Sequence, residues 1–212
     1  MPVAISPLVR EPRQARSRQS FDRVLDAAVA LLVERGSDAF TLVEVSRAAG
    51  VSTGSMYGRV ASKDDLIRVA HAREMERISA ETVAAFAVAP MDAPDHVRAE
   101  FAVRTLADLL ARNAAVLSPF MLLANHDEVI ARTGKAAHDE MTKEFERAML
   151  GASKRTEARR RAVRWSCTVA YSVLGRQLAV GIDAEAAADY SLDQVVRELT
   201  DMITAYLAAQ PG

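Results

Sequence analysis

Between Thr41 and Leu66 the chain reads TLVEVSRAAGVSTGSMYGRVASKDDL, and the polar side chains of that stretch fall where a DNA duplex could be gripped. Thr53, Ser55 and Arg59 offer hydroxyls and a guanidinium to base edges in a major groove, where arginine paired with guanine is the most discriminating contact. Tyr57 and Lys63 suit phosphate oxygens. Lys63 also sits in the first turn of a helix whose exposed N–H groups favour an anion, and Thr41 is similarly placed one helix earlier. Ser52 caps the helix between them. Upstream, Arg13, Arg16 and Arg18 form a mobile basic arm that either follows the backbone or enters the minor groove, with a solvated tail as the competing reading. Tyr57 likewise has two readings, a phosphate ligand or a core aromatic.

These groups need short helices at fixed angles to hold them. Phe21, Val24, Leu25, Ala28, Leu31 and Leu32 are spaced three and four apart, which predicts an amphipathic first helix ended by Gly36. Thr41 and Glu44 have capping-box spacing and open a second helix. Gly50 supplies a sharp turn and Ser52 caps a third helix over about Thr53 to Arg59. Ser62 with Asp65 caps a fourth, running from Lys63 into the eighties. Its Leu66 and Ala70 face the front unit, while Ile67, His71, Met75 and Ile78 form a second stripe. Helices this short do not persist alone, so tertiary packing must hold them.

Residues 20–66 resemble the N-terminal domain of TetR-type (TetR/AcrR-like) transcriptional regulators. The likeness rests on Glu34-Arg35-Gly36, Thr41, Ala49-Gly50-Val51-Ser52, Gly54-Ser55-Met56-Tyr57 and Ser62-Lys63 with Leu66. Three positions depart from the pattern: Ser46 stands for an alanine, Arg59 for an aromatic or histidine, and Val60 for a phenylalanine. The resemblance implies an all-α protein, with a three-helix helix-turn-helix domain at residues 20–66 behind an arm at 1–19. A C-terminal antiparallel helical domain at 67–212 then binds a small-molecule effector and forms a homodimer. It also implies double-stranded, near-palindromic operator DNA as partner and no cofactor. A DNA-binding regulator switched by a partner protein, with no pocket, is the alternative.

Beyond residue 70 the residues themselves say less. Pro90 to Pro94 break the chain, and Val103, Leu106, Leu110 and Leu117 mark a fifth helix. Ser118-Pro119 predicts the start of a sixth, Gly134 a turn, and Ala137, Met141, Phe145 and Met149 a seventh helix closed by Gly151. Two longer helices, about 156–180 and 191–209, pair small residues on one with large ones on the other and suit a dimer seam. Candidate ligand contacts are Phe86, Phe101, Phe120, Met121, Met141, Phe145 and Trp165, with His71 and His126 as orienting polar groups. Plain core is the competing reading for each.

Net charge is −1, from 27 Lys and Arg against 28 Asp and Glu, but it is unevenly spread. Residues 1–70 hold ten basic and eight acidic side chains, and residues 71–212 hold seventeen and twenty. A mildly basic front and an acidic body fit contact with phosphate at the front alone. Cys167 is the sole cysteine, so no internal disulfide and no CxxC zinc site can form. The clusters His126-Asp127-Glu128 and His138-Asp139-Glu140 lack two histidines at helical spacing, so no metal is expected. The run Arg155, Arg159, Arg160, Arg161 and Arg164 reads as a solvated face or interface rim, with an anionic-effector site as the sharper alternative. No nucleophile elbow, phosphate loop or Cys/His signature points to an enzyme. No secretory signal or membrane-length apolar run is evident, and a cytoplasmic location is expected.

Overall fold

The structure is a computed structural model that describes residues 13–152, 156–178 and 190–210. Eight helices are present among them: α1 (Arg13–Arg35), α2 (Leu42–Ala49), α3 (Thr53–Tyr57), α4 (Lys63–Phe86), α5 (Asp95–Leu123), α6 (Glu128–Leu150), α7 (Glu157–Gln177) and α8 (Leu192–Ala208). The chain divides into two compact units between Ala70 and His71, inside α4. Residues 1–12, Arg155 and the Val180 end of the α7 prediction lie outside the described residues, as do the side chains of Arg13 and Arg16.

In the first unit α1 starts at Arg13, so Arg13 to Arg18 lie on a helix and not on an extended arm. The run RQARSRQ contains neither glycine nor proline, and its Arg, Gln and Ala are good helix formers. Val24, Leu25, Ala28 and Leu32 of α1 are buried with Val45, Ala49, Met56, Val60, Leu66 and Ala70. Val60, smaller than the family's phenylalanine, is still 96% enclosed, at 4% exposure.

The second unit is built around α5, which packs against α6, α7 and α8. Its Ala99, Ala102, Val103 and Leu106 meet Phe145, Ala148 and Met149 of α6, Val163, Ala170 and Leu174 of α7, and Val196, Ile203 and Leu207 of α8 in one apolar core. Alanines at the crossings let backbones approach closely. By length and composition α5 would also suffice to cross a membrane, contrary to the sequence expectation, yet here its apolar face forms this core.

Two predicted boundaries move. Ser118-Pro119 does not start a helix, because α5 continues through Pro119 to Leu123. Proline forfeits one backbone hydrogen bond there, and burial of Pro119 and Phe120 offsets the loss. Gly134 is no turn but lies within α6, which begins at Asp127, whose carboxylate accepts from the N–H groups of Val129 (2.9 Å) and Ile130 (3.1 Å).

Buried charge locks the body. Arg98, 4% exposed, donates to Asp95, to the Ala93 carbonyl and, at 3.1 Å, to the Met149 carbonyl. Arg159, 6% exposed, donates to Asp95 and to the Leu207 carbonyl, so Asp95 joins both guanidiniums and ties α5 to α7 and α8. This corrects the reading of the arginine run: Arg159 is an internal clamp and Arg164 pairs with Glu146 at 2.6 Å, while Arg160 and Arg161 are exposed. Gly151 closes α6 at φ +67°, and a Cβ there would lie 2.6 Å from the Met91 carbonyl oxygen and 3.1 Å from Arg98 Cζ. Gly50 has a similar φ of +62° but open space around it. Gly151→Ala is therefore expected to cost more than the roughly 1–3 kcal/mol of backbone strain, and Gly50→Ala that strain alone. Thermal melts of the two variants check this: Gly151→Ala should show the larger fall in Tm, and equal falls would refute the close-contact argument.

Candidate nucleic-acid interface and ligand cavity

The presenting unit is built from local hydrogen bonds. Thr41 accepts from the Glu44 N–H at 3.2 Å while Glu44 Oε2 accepts from the Thr41 N–H at 2.7 Å, a complete capping box at α2. Arg35 donates to Glu44 Oε1 at 2.6 Å and fastens the end of α1 to that cap. Arg35 and the two Thr41 donors hold the Glu44 carboxyl down at about 2, well below the ordinary 4.5. Gly50 turns the chain, and Ser52 Oγ accepts from the Ser55 N–H at 3.3 Å to cap α3. Ser62 caps α4 by accepting from the Asp65 N–H at 3.0 Å.

Ser46, which only departs from the family pattern in the sequence, has a role in the structure. The residue is 5% exposed, and its hydroxyl donates to the Val51 carbonyl at 2.5 Å and lies 3.2 Å from Thr53 Oγ1. It thus stitches α2 to the turn and to the first residue of α3. A polar residue at an inward position calls for such a partner, and that was the available signal.

α3 ends at Tyr57, two residues short of the expected end, because Gly58 closes it and Val60 is drawn into the core. Met56 is fully buried and anchors α3 from below. Ser52, Ser55, Tyr57 and Arg59 stay exposed, Tyr57 at 54%, so the tyrosine is no core residue. Thr53 is half-buried and its hydroxyl is turned to Ser46. Arg59 lies outside the helix with its guanidinium 5.1 Å from the Phe21 ring centroid. Lys63 is engaged in the free protein, donating to the Asp38 carboxylate at 2.8 Å and to the Asp38 carbonyl at 2.7 Å. Thr41 is exposed within its capping box, and Arg18 is exposed on α1.

The second unit holds a cavity of about 380 Å³, within the range of small-molecule sites. Its walls are His71, Met75, Ile78 and Thr82 from α4, Leu106, Leu109, Leu110, Leu117, Phe120 and Met121 from α5, Ile130, Ala131, Gly134, Lys135, Ala137, His138 and Met141 from α6, and Tyr171 from α7, with Ala124 beyond α5. Of the sequence candidates, His71, Phe120, Met121 and Met141 lie on it. Phe86, Phe101 and Phe145 do not. They form an aromatic cluster in the core, with centroids 6.1 Å apart for Phe86–Phe101 and 6.5 Å for Phe86–Phe145. His126 is exposed beyond the end of α5. Trp165, 59% exposed, borders a separate shallow depression with Met202 and Tyr206. For the three phenylalanines the reason is that helical spacing marks a face, and inward faces fill space as readily as they line it; His126 and Trp165 lie on outward positions. Lys135 and Tyr171 line the cavity without a signal in the sequence, and His138, read there only within a possible metal cluster, lines it three residues before Met141 on the same helix.

Burial lowers His71 to about 4, opposed by the Asp127 charge, and it also lowers His138. Burial raises Tyr171. His71 packs on Phe120 with centroids 4.7 Å apart, and His138 meets the Tyr171 ring edge-on at 4.6 Å. No group of three His, Cys, Asp or Glu side chains among the described residues is placed to hold a metal ion. Asp139 instead pairs with Lys135 at 2.9 Å.

Residues 24–70 match the family model described as bacterial regulatory proteins, tetR family. Over 65 residues the chain is 37% identical to the uncharacterized HTH-type transcriptional regulator YwcC of Bacillus subtilis (strain 168), an alignment spanning 30% of this chain and 29% of that relative. The fold of the whole chain is shared with solved structures. A protein assigned to the TetR family from Mesorhizobium loti superposes with a TM-score of 0.69 at 15% identity, covering 95% of this chain and 100% of that one. The Bacillus subtilis transcriptional regulator FadR, solved in complex with stearoyl-CoA, superposes with a TM-score of 0.62 at 12% identity, covering 88% and 98%.

The depressed Glu44 carboxyl fixes a pH dependence. Its charged form is favoured on folding, so its contribution is complete above the ordinary carboxylate range and is lost as pH falls from about 4.5 toward 2. The difference in Tm between wild type and Glu44→Gln is expected to be largest near neutrality and to close over that window. A difference that persists at pH 2 would exclude the Arg35–Glu44 charge pair as its source.

Proposed function

We propose that this chain, whose residues 24–70 match the DNA-binding domain of the TetR family, is a transcriptional regulator, a homodimeric repressor released from its operator by a small molecule. The observation that carries the proposal is α4, one helix that begins with Lys63 and continues into the cavity wall through His71, Met75, Ile78 and Thr82. A molecule that fills the cavity touches the same helix whose first turn is assigned to phosphate.

In this reading α3 enters the major groove. Ser55 and Arg59 face base edges, with Thr53 at the margin, because its hydroxyl already has Ser46 as partner. Tyr57, Lys63 and the N-terminal turns at Thr41 and Ser52 hold phosphates, and Arg16 and Arg18 extend that contact along the start of α1. Phosphate must displace Asp38 from Lys63, so binding exchanges one ion pair for another. The dimer seam is the outer side of α7 and α8, where Trp165, Val173, Met202 and Tyr206 are all more than a third exposed. A twofold pair presents two α3 helices about 34 Å apart, one helical turn of DNA, on a near-palindromic site in the cytoplasm.

Effector control is supported by the cavity, by its mostly apolar wall and by the stearoyl-CoA complex of the fold relative FadR. Binding that favours one α4 position changes the separation of the two reading heads and weakens their joint fit. The alternative, a switch by a partner protein, needs no such cavity. Selection of bound sequences from random DNA is the direct test, and the expected product is a palindrome with half-sites one turn apart.

Two variants separate the assigned roles. Lys63→Ala should weaken binding evenly across sequences and reduce the salt slope by about 1, while Arg59→Ala should cost about 1–3 kcal/mol and relax preference at one base pair per half-site. Binding isotherms at several salt concentrations on the selected operator and its single-base variants check both, and unchanged slopes would remove Lys63 from the interface. Trp165→Glu is expected to yield monomers by light scattering, with loss of operator binding. A stable dimer in that variant would move the seam elsewhere.

A further inference from the structure

His71 is 3% exposed, lies on the cavity wall and makes no hydrogen bond among the described residues. An imidazole with no protein partner has hydrogen-bonding capacity left for whatever occupies the cavity. Its ring packs on Phe120, and across from it stands Gly134, where even a Cβ would come only to 3.9 Å of Nε2. The absence of a side chain at Gly134 leaves the polar edge of the ring accessible from the cavity.

Two other polar groups of the wall, Thr82 and Lys135, already have partners. Thr82 spends its hydroxyl proton on the Ile78 carbonyl at 2.8 Å. Lys135 is the one cation among the described lining residues, and its side chain is 72% exposed and neutralised by Asp139. Nothing in the interior balances an anion, and an uncompensated charge in such surroundings is strongly disfavoured. Apart from His138, which meets the Tyr171 ring edge-on and whose pKa burial lowers, and the Tyr171 phenol itself, the remaining surface is aliphatic, aromatic and thioether.

We infer that the cavity selects an uncharged molecule with an apolar body and a single carbonyl or hydroxyl group, held by a hydrogen bond to His71. The inference rests on the effector-cavity reading above and narrows it to a ligand class. Burial keeps His71 neutral at physiological pH, with its pKa near 4, so the ring offers one N–H donor and one acceptor lone pair. A carbonyl takes the first and a hydroxyl can use either. Tyr171, whose phenol burial keeps protonated, adds a second uncharged group on the α7 side.

The test uses three probes of matched shape with the full-length protein at pH 7.5: 4-butylacetophenone, 4-butylbenzoate and 1-butyl-4-ethylbenzene. Titration calorimetry is expected to give the ketone an affinity at least about tenfold above both the carboxylate and the hydrocarbon. In His71→Phe the ketone should fall to within about twofold of the hydrocarbon, whose own affinity is retained. Lys135→Met should leave the ketone unchanged. A carboxylate that binds as tightly as the ketone, or a ketone site destroyed by Lys135→Met, overturns the inference while leaving the cavity as the effector site. Absence of binding and of any thermal shift with all three probes overturns the cavity reading itself, and this inference with it. Should His71→Phe fail to fold by circular dichroism, the wild-type ratios and Lys135→Met still decide.

Discussion

A five-residue helix has almost no stability of its own. One turn fixes several backbone dihedrals for a single hydrogen bond, so α3 exists only because its surroundings impose it. Met56 supplies the apolar anchor below it, Ser52 accepts from the Ser55 N–H in its first turn, and Val60 pulls the chain back into the core directly after it. Ser46 fixes the approach from the other side through Val51 and Thr53. The exposed side chains of Ser55, Tyr57 and Arg59 inherit their positions from these constraints. A rigid probe made of so few residues suits recognition of DNA, because little conformational freedom remains to be lost on binding.

The body solves a different problem. Four helices must pack closely yet leave a space of about 380 Å³ unfilled, which forfeits dispersion contacts along its lining. Charged clamps away from the cavity supply rigidity in return. Asp95 joins Arg98 and Arg159, and Arg147 reaches from α6 to the Phe86 carbonyl at 2.6 Å, holding the end of α4. Arg77 donates to Asn113 at 2.7 Å, and Asn113 donates to Glu81 at 3.1 Å, which links the middle of α4 to α5 beside the cavity. The buried pairs at Arg98 and Arg159 add little net stability, since desolvation consumes most of the attraction, and the half-exposed ones at Arg77 and Arg147 are screened. They specify which arrangement of helices is allowed, and that is what a switching element requires.

The two halves also differ in how they handle charge. In the reading unit Arg59 is exposed over the Phe21 ring, and Lys63, partly buried, pairs with Asp38. Pairs open to solvent on one side are screened, so phosphate can compete for them. In the body the arginines near the core are fully committed, and the cavity is lined by groups that burial keeps neutral. The same residue type therefore serves recognition in one unit and architecture in the other.

The sequence alone determined what local chemistry controls. Capping residues at Thr41, Ser52 and Ser62, the turn at Gly50 and the spacing along α1 were legible because each acts over three or four residues. From them followed the helix-turn-helix and its exposed polar set. Tertiary structure decided everything that depends on what lies opposite. Helical periodicity marked Phe86, Phe145 and Phe120 as inward alike, yet only Phe120 faces empty space, because a period reports direction and not the distance to the next helix. Pro119 could not be seen to continue a helix, since the burial that compensates it is remote in sequence. Arg159 looked like its exposed neighbours Arg160 and Arg161 until α5 and α8 closed around it. Space and partners are set by packing between segments far apart in the chain, and no pattern within one segment records them.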